Sequence, residues 1–211
     1  MDIRPAHVSI CIIIVVSFVI GGFAFFHLPD QTVSHWDMRG NPNGTMSKFW
    51  GAFLMPIIAV ALFIVFLLLP LIDPKRKNIK KFQTFFDRFI LLIILFIFYI
   101  YTLSLLWNFG IAVNIGKVMI PAFAVLFFYA GVLIEHAEQN WSIGIRTPWT
   151  LSSTHVWKKT HILSGKLFKL AAIISLGGLF FASAAFFFVL IPVLLAAGIS
   201  VIYSYVLFAK K

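Results

Sequence analysis

Long apolar runs are the feature that most restricts what this chain can fold into. They lie at 8–28, 49–72, 89–107, 111–134 and 167–208. Each approaches or exceeds the roughly 20 residues that cross a ~30 Å hydrocarbon core as a helix, and the last is long enough for two helices. We therefore predict an all-α fold, a polytopic membrane protein with six transmembrane helices.

The composition favours the same class. Hydrophobic residues make up 61% of the chain and charged residues 11%, whereas a soluble domain carries about a quarter charged residues. Pro29 ends the first run and Pro74 closes the second, because proline and the residue before it disfavour helix. We predict that the last run divides near Phe188, with Pro192 in the first turn of the sixth helix, where a missing N–H costs least.

The first apolar run has the wrong length and ending for a cleaved signal peptide. It spans about 19 residues, against about 7–15 for the apolar region of a signal peptide. It ends in Phe25-Phe26-His27-Leu28-Pro29, without an A-x-A-like cleavage site. We expect this run to remain as the first membrane span.

Lysine and arginine are distributed unevenly between the predicted loops. With the N-terminus in the cytoplasm, 14 of the 17 basic residues lie inside, and Arg39, Lys48 and Lys117 lie outside. Cytoplasmic loops of membrane proteins are enriched in Lys and Arg, so this split predicts that both termini are cytoplasmic. It also explains the net charge of +10 without a nucleic-acid partner. We expect the lipid bilayer as a partner and no direct binding of nucleic acid.

The predicted spans carry no Asp, Glu, Lys, Arg or His near their centres. Ionisable groups within a membrane usually mark ion paths or proton relays, so this pattern argues against an ion-coupled transporter. The chain also has no nucleophile–base–orienter set, no phosphate-binding glycine loop and no paired-carboxylate site. We expect no enzyme activity, no catalytic residue, no cofactor and no metal site.

The polar segment 28–48 lies outside in this topology. Its stretch HWDMRGNPNG predicts a tight surface turn, since Gly and Asn tolerate φ > 0. The candidate recognition residues in it are His35, Trp36, Asp37 and Arg39. They form either a recognition surface for a partner arriving from outside or a folded cap over the helix ends, and chemistry alone favours the cap. A metal site at His35 and Asp37 has too few ligands.

The polar segment 135–166 lies inside. Glu135 and Glu138 are three residues apart and are predicted to share a helical face. With His136 they are at most a weak candidate for a divalent cation. Glu138 and Arg146 are an attractive pair across a turn, although a guanidinium equally fits a set of backbone carbonyls.

The second half of this inner segment has its own local signals. Gly144 allows a backbone bend, and Pro148 keeps the residue before it extended. Ser152 or Ser153 is a good N-cap for a short basic amphipathic helix over 154–164, which we expect to lie on the membrane surface. Three tryptophans are predicted to anchor at the same interface: Trp141, Trp149 and Trp157.

The inner segment contains AEQNWSIGIRTPWTLSSTHVWKKTHILSG, which resembles the signature of the SdpI-type family of bacterial membrane immunity proteins. The specific part is the Gly-x-Arg-Thr-Pro-Trp-Thr-Leu core. Candidate signature residues, for partner binding or for structure, are Glu138, Asn140, Gly144, Arg146, Thr147, Pro148, Trp149 and Trp157. More loosely, the outer segment resembles the N-terminal module often found in these proteins, at Leu28-Pro29, His35-Trp36, Gly40, Pro42 and Gly44.

The resemblance covers essentially the whole chain. It implies a single membrane domain over 1–211, with an N-terminal module at 1–72 and an SdpI-type region at 73–211. It further implies immunity to a secreted membrane-active peptide toxin at the outer face, and a cytoplasmic repressor bound at the inner face for membrane signal transduction. The alternative is a membrane enzyme or transporter that acts on a lipid or small solute through Glu138, Asn140 and Arg146.

Overall fold

The computed structural model describes residues 4–37, 40–181 and 184–210. Its elements, in chain order, are α1 (Pro5–His27), β1 (Gln31–Trp36), β2 (Pro42–Ser47), α2 (Lys48–Ile72), α3 (Arg76–Lys81), α4 (Gln83–Asn108), α5 (Ile115–His136), α6 (Pro148–Ser152), α7 (Thr154–Ser175), a 3-10 turn (Leu176–Leu179) and α8 (Ala185–Ala209).

Six helices in the described part of the chain are long and apolar enough to cross a membrane. They are α1, α2, α4, α5, α7 with its 3-10 turn, and α8. This confirms the prediction of a mostly helical polytopic membrane protein. The apolar runs located these helices because a spanning helix must be apolar over nearly its full length.

The polar segment 28–48 forms a β-hairpin, so the all-α prediction is wrong at this point. Strand β1 pairs antiparallel with β2, and Val33 lies opposite Thr45 while Thr32 lies opposite Met46. Strand β1 carries β-branched and aromatic residues, which favour strands. The pairing also satisfies backbone N–H and C=O groups that a simple turn would leave to solvent.

The region 154–164 does not form the separate surface helix that we predicted. It is the first half of α7, which continues without a break to Ser175. Several of its polar side chains are buried, among them Thr160, His161 and Ser164. The prediction was wrong because it rested on the basic residues. Lys158 and Lys159 lie on one exposed side of the helix, and its other side is packed.

The division of the last apolar run also differs from the prediction. Helix α7 passes into the 3-10 turn at Leu176, and α8 begins at Ala185. Pro192 therefore lies inside α8, not in its first turn. Membrane helices tolerate an internal proline because local adjustments satisfy the backbone group it leaves free.

The described residues fall into two compact units. One combines Met1–Phe66 with Ile90–Met119, and the other combines Leu67–Phe89 with Ile120–Lys211. The predicted boundary between 1–72 and 73–211 stays a prediction, because a boundary drawn from motifs need not coincide with a boundary in packing.

In the first unit, small residues allow helices to pack around one large side chain. The buried cluster consists of Ala24, Leu28, Ala52, Tyr101 and Leu105. The Tyr101 hydroxyl donates to the Ala52 carbonyl at 2.8 Å, which satisfies a buried polar group without water.

The hairpin in the same unit is held by the last residue of α4. The side-chain oxygen of Asn108 accepts from Val33 N at 2.8 Å, and its Nδ2 donates to Val33 O at 2.9 Å. One amide thus binds both backbone groups that Val33 directs away from β2. The edge of β1 is closed at this position.

In the second unit, helices α5 and α7 meet at two glycines. A Cβ on Gly131 would lie 2.7 Å from the Gly165 carbonyl, and one on Gly165 would lie 2.8 Å from the Gly131 carbonyl. Such a contact requires glycine on both helices. One turn away, Lys169 Nζ pairs with Glu135 Oε2 at 2.6 Å.

Candidate functional site

The connection between α5 and α7 contains most of the predicted signature residues; we call residues 137–153 the signature loop. Asn140 organises its first turn and is fully buried. Its Nδ2 donates to the carbonyls of Glu138 and Ile143 at 2.8 and 3.0 Å. Its Oδ1 accepts from the backbone nitrogens of Ser142 and Ile143 at 2.8 and 2.6 Å. Asn140 therefore has a structural role in which both ends of its amide are used.

The bend predicted at Gly144 is present and is shaped by a histidine. Gly144 has φ +110°, which side-chain-bearing residues rarely adopt. The next residue, Ile145, donates its N–H to His161 Nε2 at 3.1 Å. His161 Nδ1 lies 2.8 Å from the Trp157 carbonyl. Because a carbonyl only accepts, Nδ1 carries the proton and Nε2 is the acceptor.

The Thr147-Pro148 step begins the short helix α6. Thr147 is extended, with φ −102° and ψ 161°, as the following proline predicts. Its hydroxyl accepts from Thr150 N at 3.2 Å, while Thr147 N donates to Thr150 Oγ1 at 2.9 Å. This is a reciprocal capping box. Thr147 Oγ1 also lies 3.0 Å from Ser204 Oγ, which ties the loop to α8.

Arg146 is exposed, and its guanidinium closes the loop on itself. Nη1 donates to the Trp141 carbonyl at 2.8 Å. No ion pair joins Arg146 to Glu138 among the described residues, so the carbonyl alternative is the one observed. The predicted shared helical face of Glu135 and Glu138 is wrong, because α5 ends at His136 and Glu138 lies beyond it.

The three tryptophans do not share one environment, which corrects the prediction of a common interfacial role. Trp141 is 52% exposed, whereas Trp157 is 2% exposed. Trp157 Nε1 donates to the Ala137 carbonyl at 2.7 Å, and its ring stacks on His161 with centroids 3.9 Å apart. Trp149 packs against Tyr205 of α8, with centroids 5.1 Å apart. Trp157 of α7 therefore packs against the start of the signature loop.

Sequence reasoning missed a buried carboxylate at the end of α2. Asp73 Oδ2 accepts from Trp141 N at 2.9 Å and from Ser142 Oγ at 2.6 Å. Its Oδ1 accepts from Lys75 N at 2.7 Å. In the sequence, the Asp73-Pro74 pair predicts only the end of the helix. An Asp that follows a helix end is also a good acceptor for nearby backbone N–H groups, and that signal was present.

Gln139 is the second residue that sequence reasoning missed. Its Nε2 donates to the carbonyls of Thr150 and Leu151 at 2.8 and 2.9 Å. Lys75 Nζ donates to its Oε1, and Asn78 Nδ2 donates to its backbone carbonyl at 2.8 Å. The segment after α2 and the signature loop are thus joined around one buried amide. Nothing in the local sequence signals a contact over this separation.

The residues predicted for outside recognition lie on the hairpin. His35 is exposed and hydrogen-bonds through Nδ1 to Asn43 Oδ1. Trp36 meets Trp107 edge to face, with centroids 5.9 Å apart. Asp37 Oδ1 accepts from Asn41 N at 2.9 Å. Arg39 lies outside the described residues.

Metal ligands do not gather in the part of the chain that the structure describes. No group of three or more His, Cys, Asp or Glu side chains is placed to hold an ion there. Glu135 is instead paired with Lys169, and His136 stacks on Phe85 with centroids 3.8 Å apart. The weak cation candidate at these positions has no structural support.

Comparison with known proteins assigns this chain to a family. The model of the SdpI/YfhL protein family matches residues 136–204, and the model of a domain of unknown function, DUF1648, matches residues 12–60. The Immunity protein SdpI of Bacillus subtilis (strain 168) is 30% identical over 202 residues, which cover 94% of each protein. This chain belongs to the SdpI family. No solved structure matches it.

The matched segments of this SdpI-family protein correspond to the two polar structures. The SdpI match contains the signature loop and extends to Ser204, which hydrogen-bonds Thr147. The DUF1648 match contains the hairpin. Asp73, Lys75 and Asn78 lie between the two matches, although they hold the signature loop. The family and the six spanning helices identify a multi-pass protein of the cell membrane.

Proposed function

We propose that this protein is an immunity protein, which protects the cell that makes it against a secreted membrane-active peptide toxin. It does so by binding and without catalysis. The observation that carries the proposal is the 30% identity to an immunity protein over 94% of both chains. A match of that extent includes both polar structures, so the relative's function transfers more readily than it would from a shared fold alone.

The proposed orientation puts both termini in the cytoplasm, the hairpin outside and the signature loop inside. It is supported by the distribution of Lys and Arg, with 14 of 17 on the cytoplasmic side. Cysteines at two exposed positions test it in a Cys11→Ser background: Asn43→Cys in β2 and His155→Cys at the start of α7. An impermeant thiol reagent should label the first in intact cells and the second only after permeabilisation. The reverse pattern would overturn the orientation.

The rival function, an enzyme or transporter, receives little support from its proposed residues. The side-chain amide of Asn140 already makes four hydrogen bonds within its own turn. Arg146 binds a backbone carbonyl of the loop, and Glu138 is exposed. A catalytic set requires convergent groups that are free to bind around a shared point, whereas the side chains of Asn140 and Arg146 are hydrogen-bonded within the loop.

The second part of the proposal is that the signature loop binds a cytoplasmic repressor, so that toxin binding becomes a signal. The resemblance to the family supports it, together with a surface that offers Arg146, Pro148, Lys158 and Lys159 to a partner. Membrane recruitment of a fluorescently tagged repressor encoded beside this gene tests it. The tagged repressor should move to the membrane only when toxin is added. A repressor that stays in the cytoplasm while cells survive would remove the signalling role and leave immunity.

Survival tests the main proposal directly. The protein is expressed in a strain that lacks its own immunity protein, and the cells are challenged with purified membrane-active peptide toxins secreted by bacteria. We expect growth at toxin concentrations that kill cells carrying the empty vector. Lethality with every such peptide, at a verified membrane level of protein, would refute immunity. A lipid or solute change without toxin would favour the rival.

A further inference from the structure

We propose that strand β2 binds the toxin by accepting an extended segment of the peptide as a third strand of the hairpin, along the edge that includes Thr45 and Ser47. This inference rests on the proposed function and adds to it the place and the chemistry of recognition. The ligand class is an extended amphiphilic peptide, recognised mainly through its backbone.

The register determines which backbone groups of β2 point outward. Lys48 N donates to Asp30 O at 3.0 Å, which marks Asp30 and Lys48 as a bonded pair across the hairpin. Bonded and non-bonded pairs alternate in an antiparallel ladder. Thr32 and Met46 are therefore a bonded pair, and Val33 and Thr45 direct their N–H and C=O groups away from each other. The Asn108 contacts to both backbone groups of Val33 agree with this alternation.

The two edges of the hairpin differ in their hydrogen bonding. The edge of β1 is closed at Val33 by the Asn108 side chain. On the opposite edge, the alternation of the ladder directs the N–H and C=O of Thr45 outward, away from β1. Thr45 and Ser47 are both exposed. A strand edge with unpaired groups is a template for another strand, and proteins usually protect such edges.

Two of the usual protections are absent from the centre of β2. Charged residues and prolines block strand addition, but between Pro42 and Lys48 the strand reads Asn-Gly-Thr-Met-Ser, with neither. A two-stranded hairpin is itself marginal, and a third strand adds stability. Backbone hydrogen bonds supply affinity in this mode of peptide binding, while side chains beside the edge supply specificity.

The position of the edge favours a membrane-active peptide over other extended partners. Strand β2 runs directly into α2 at Lys48. The next residues, Phe49 and Trp50, are each 48% exposed. Aromatic residues of this kind lie at the level of the lipid headgroups. A peptide that approaches along the bilayer surface therefore meets a polar backbone edge beside an apolar aromatic pair, which suits an amphiphilic chain.

Residue-resolved amide exchange tests the proposal on the unaltered protein in lipid nanodiscs. The probe is the purified peptide toxin that the protein neutralises in the survival assay. Without peptide, the amide of Thr45 should exchange fast and that of Met46 slowly. With peptide, the Thr45 amide should slow by about tenfold or more, because exchange then requires opening of the added strand. Slow Thr45 exchange in the protein alone would mean that the edge is already covered, as by a second copy, and would overturn the proposal.

A pair of variants provides an independent test in cells. Thr45→Pro removes the outward N–H, a position where an edge strand tolerates proline, whereas Thr45→Val keeps it. We expect Thr45→Pro to lower the tolerated toxin concentration about threefold to tenfold, as the loss of one hydrogen bond predicts, and Thr45→Val to protect nearly as well as the wild type. Fast exchange of the Met46 amide in Thr45→Pro would show that the substitution opens the hairpin. In that case the exchange of the Thr45 amide in the wild-type protein decides whether β2 binds the peptide.

The outcomes distinguish failure of the immunity function from failure of the proposed binding site on β2. If cells survive toxin but the Thr45 amide is not slowed by it, immunity stands and the edge is not the binding site. If no toxin is neutralised, immunity fails and this inference fails with it.

Discussion

The carboxylate of Asp73 lies 2.9 Å from the backbone nitrogen of Trp141, 68 residues further along the chain. The same oxygen accepts from the hydroxyl of Ser142 at 2.6 Å. Asp73 is 3% exposed, and both of its carboxylate oxygens accept hydrogen bonds from protein groups. The start of the signature loop is therefore held by a residue that lies outside the matched family segment.

Removal of the Asp73 carboxylate should destabilise the protein. Asp73→Ala leaves partly buried donors of Lys75, Trp141 and Ser142 without an acceptor, and we expect a loss of about 2–4 kcal/mol in the free energy of unfolding. Reversible unfolding in mixed micelles measures it. The control is Glu138→Ala, which removes an exposed acid of the signature loop and should change stability little. Equal stability of both variants would contradict the role assigned to Asp73.

A methyl group at Gly144 should be poorly tolerated. The added Cβ would overlap His161 Nε2, and the φ of +110° is strained for alanine. We expect Gly144→Ala to cost about 2–4 kcal/mol through backbone strain and loss of the Ile145–His161 hydrogen bond. Gly198→Ala in α8 meets nothing within 4 Å and is the matched control. Comparable melting temperatures for the two variants would refute the steric argument.

Arg146→Ala should impair protection more than Lys158→Ala. Arg146 Nη1 binds the Trp141 carbonyl at 2.8 Å, whereas Lys158 is an exposed charge on the first turns of α7. Arg146→Lys should restore little, because an ammonium lacks the planar fork of donors. The survival assay compares the variants at equal membrane levels, and equal losses for Arg146→Ala and Lys158→Ala would defeat the prediction.

Acid should release the ion pair at the base of the hairpin. The hydrogen bond from Lys48, and then its charge, hold the pKa of Asp30 below its ordinary value of 3.8. Because the pKa is depressed in the folded state, the contribution to stability is present above 3.8 and is lost as the pH falls through the folded value. Carboxyl NMR titration should give a midpoint below 3.8, and Lys48→Gln should return it to the ordinary value. An unchanged midpoint in Lys48→Gln would remove Lys48 as the cause.

Much of the helical fold was predictable because a helix that crosses lipid must be apolar over nearly its full length, and an apolar run is visible in the sequence. Apolar runs located all six spans, and the proline after Thr147 predicted its extended backbone. Ser153 caps α7 by accepting from Val156 N, as expected for one of the two serines proposed there. These features depend on neighbours in sequence, so local patterns determine them.

The hairpin and the hydrogen bonds of the signature loop were not predictable in the same way. The contact of Asn108 with Val33 and that of Lys75 with Gln139 join residues 75 and 64 positions apart. A polar side chain at a helix end looks the same in sequence whether it meets solvent or a distant backbone group. The continuity of α7 was not predictable for a related reason: the basic residues of 154–164 suit a helix on the membrane surface, and only packing shows that His161 and Thr160 are buried.

The backbone contact between Gly131 and Gly165 limits how helices α5 and α7 can move. A slide of α7 by one turn would bring the side chain of His161 or Lys169 opposite Gly131, where only a glycine fits. The Glu135–Lys169 ion pair would break in the same displacement. A piston motion of one helix along the other is therefore costly. Any displacement of this pair must tilt or shift both helices together, so the hydrogen bonds within the signature loop would stay intact during it.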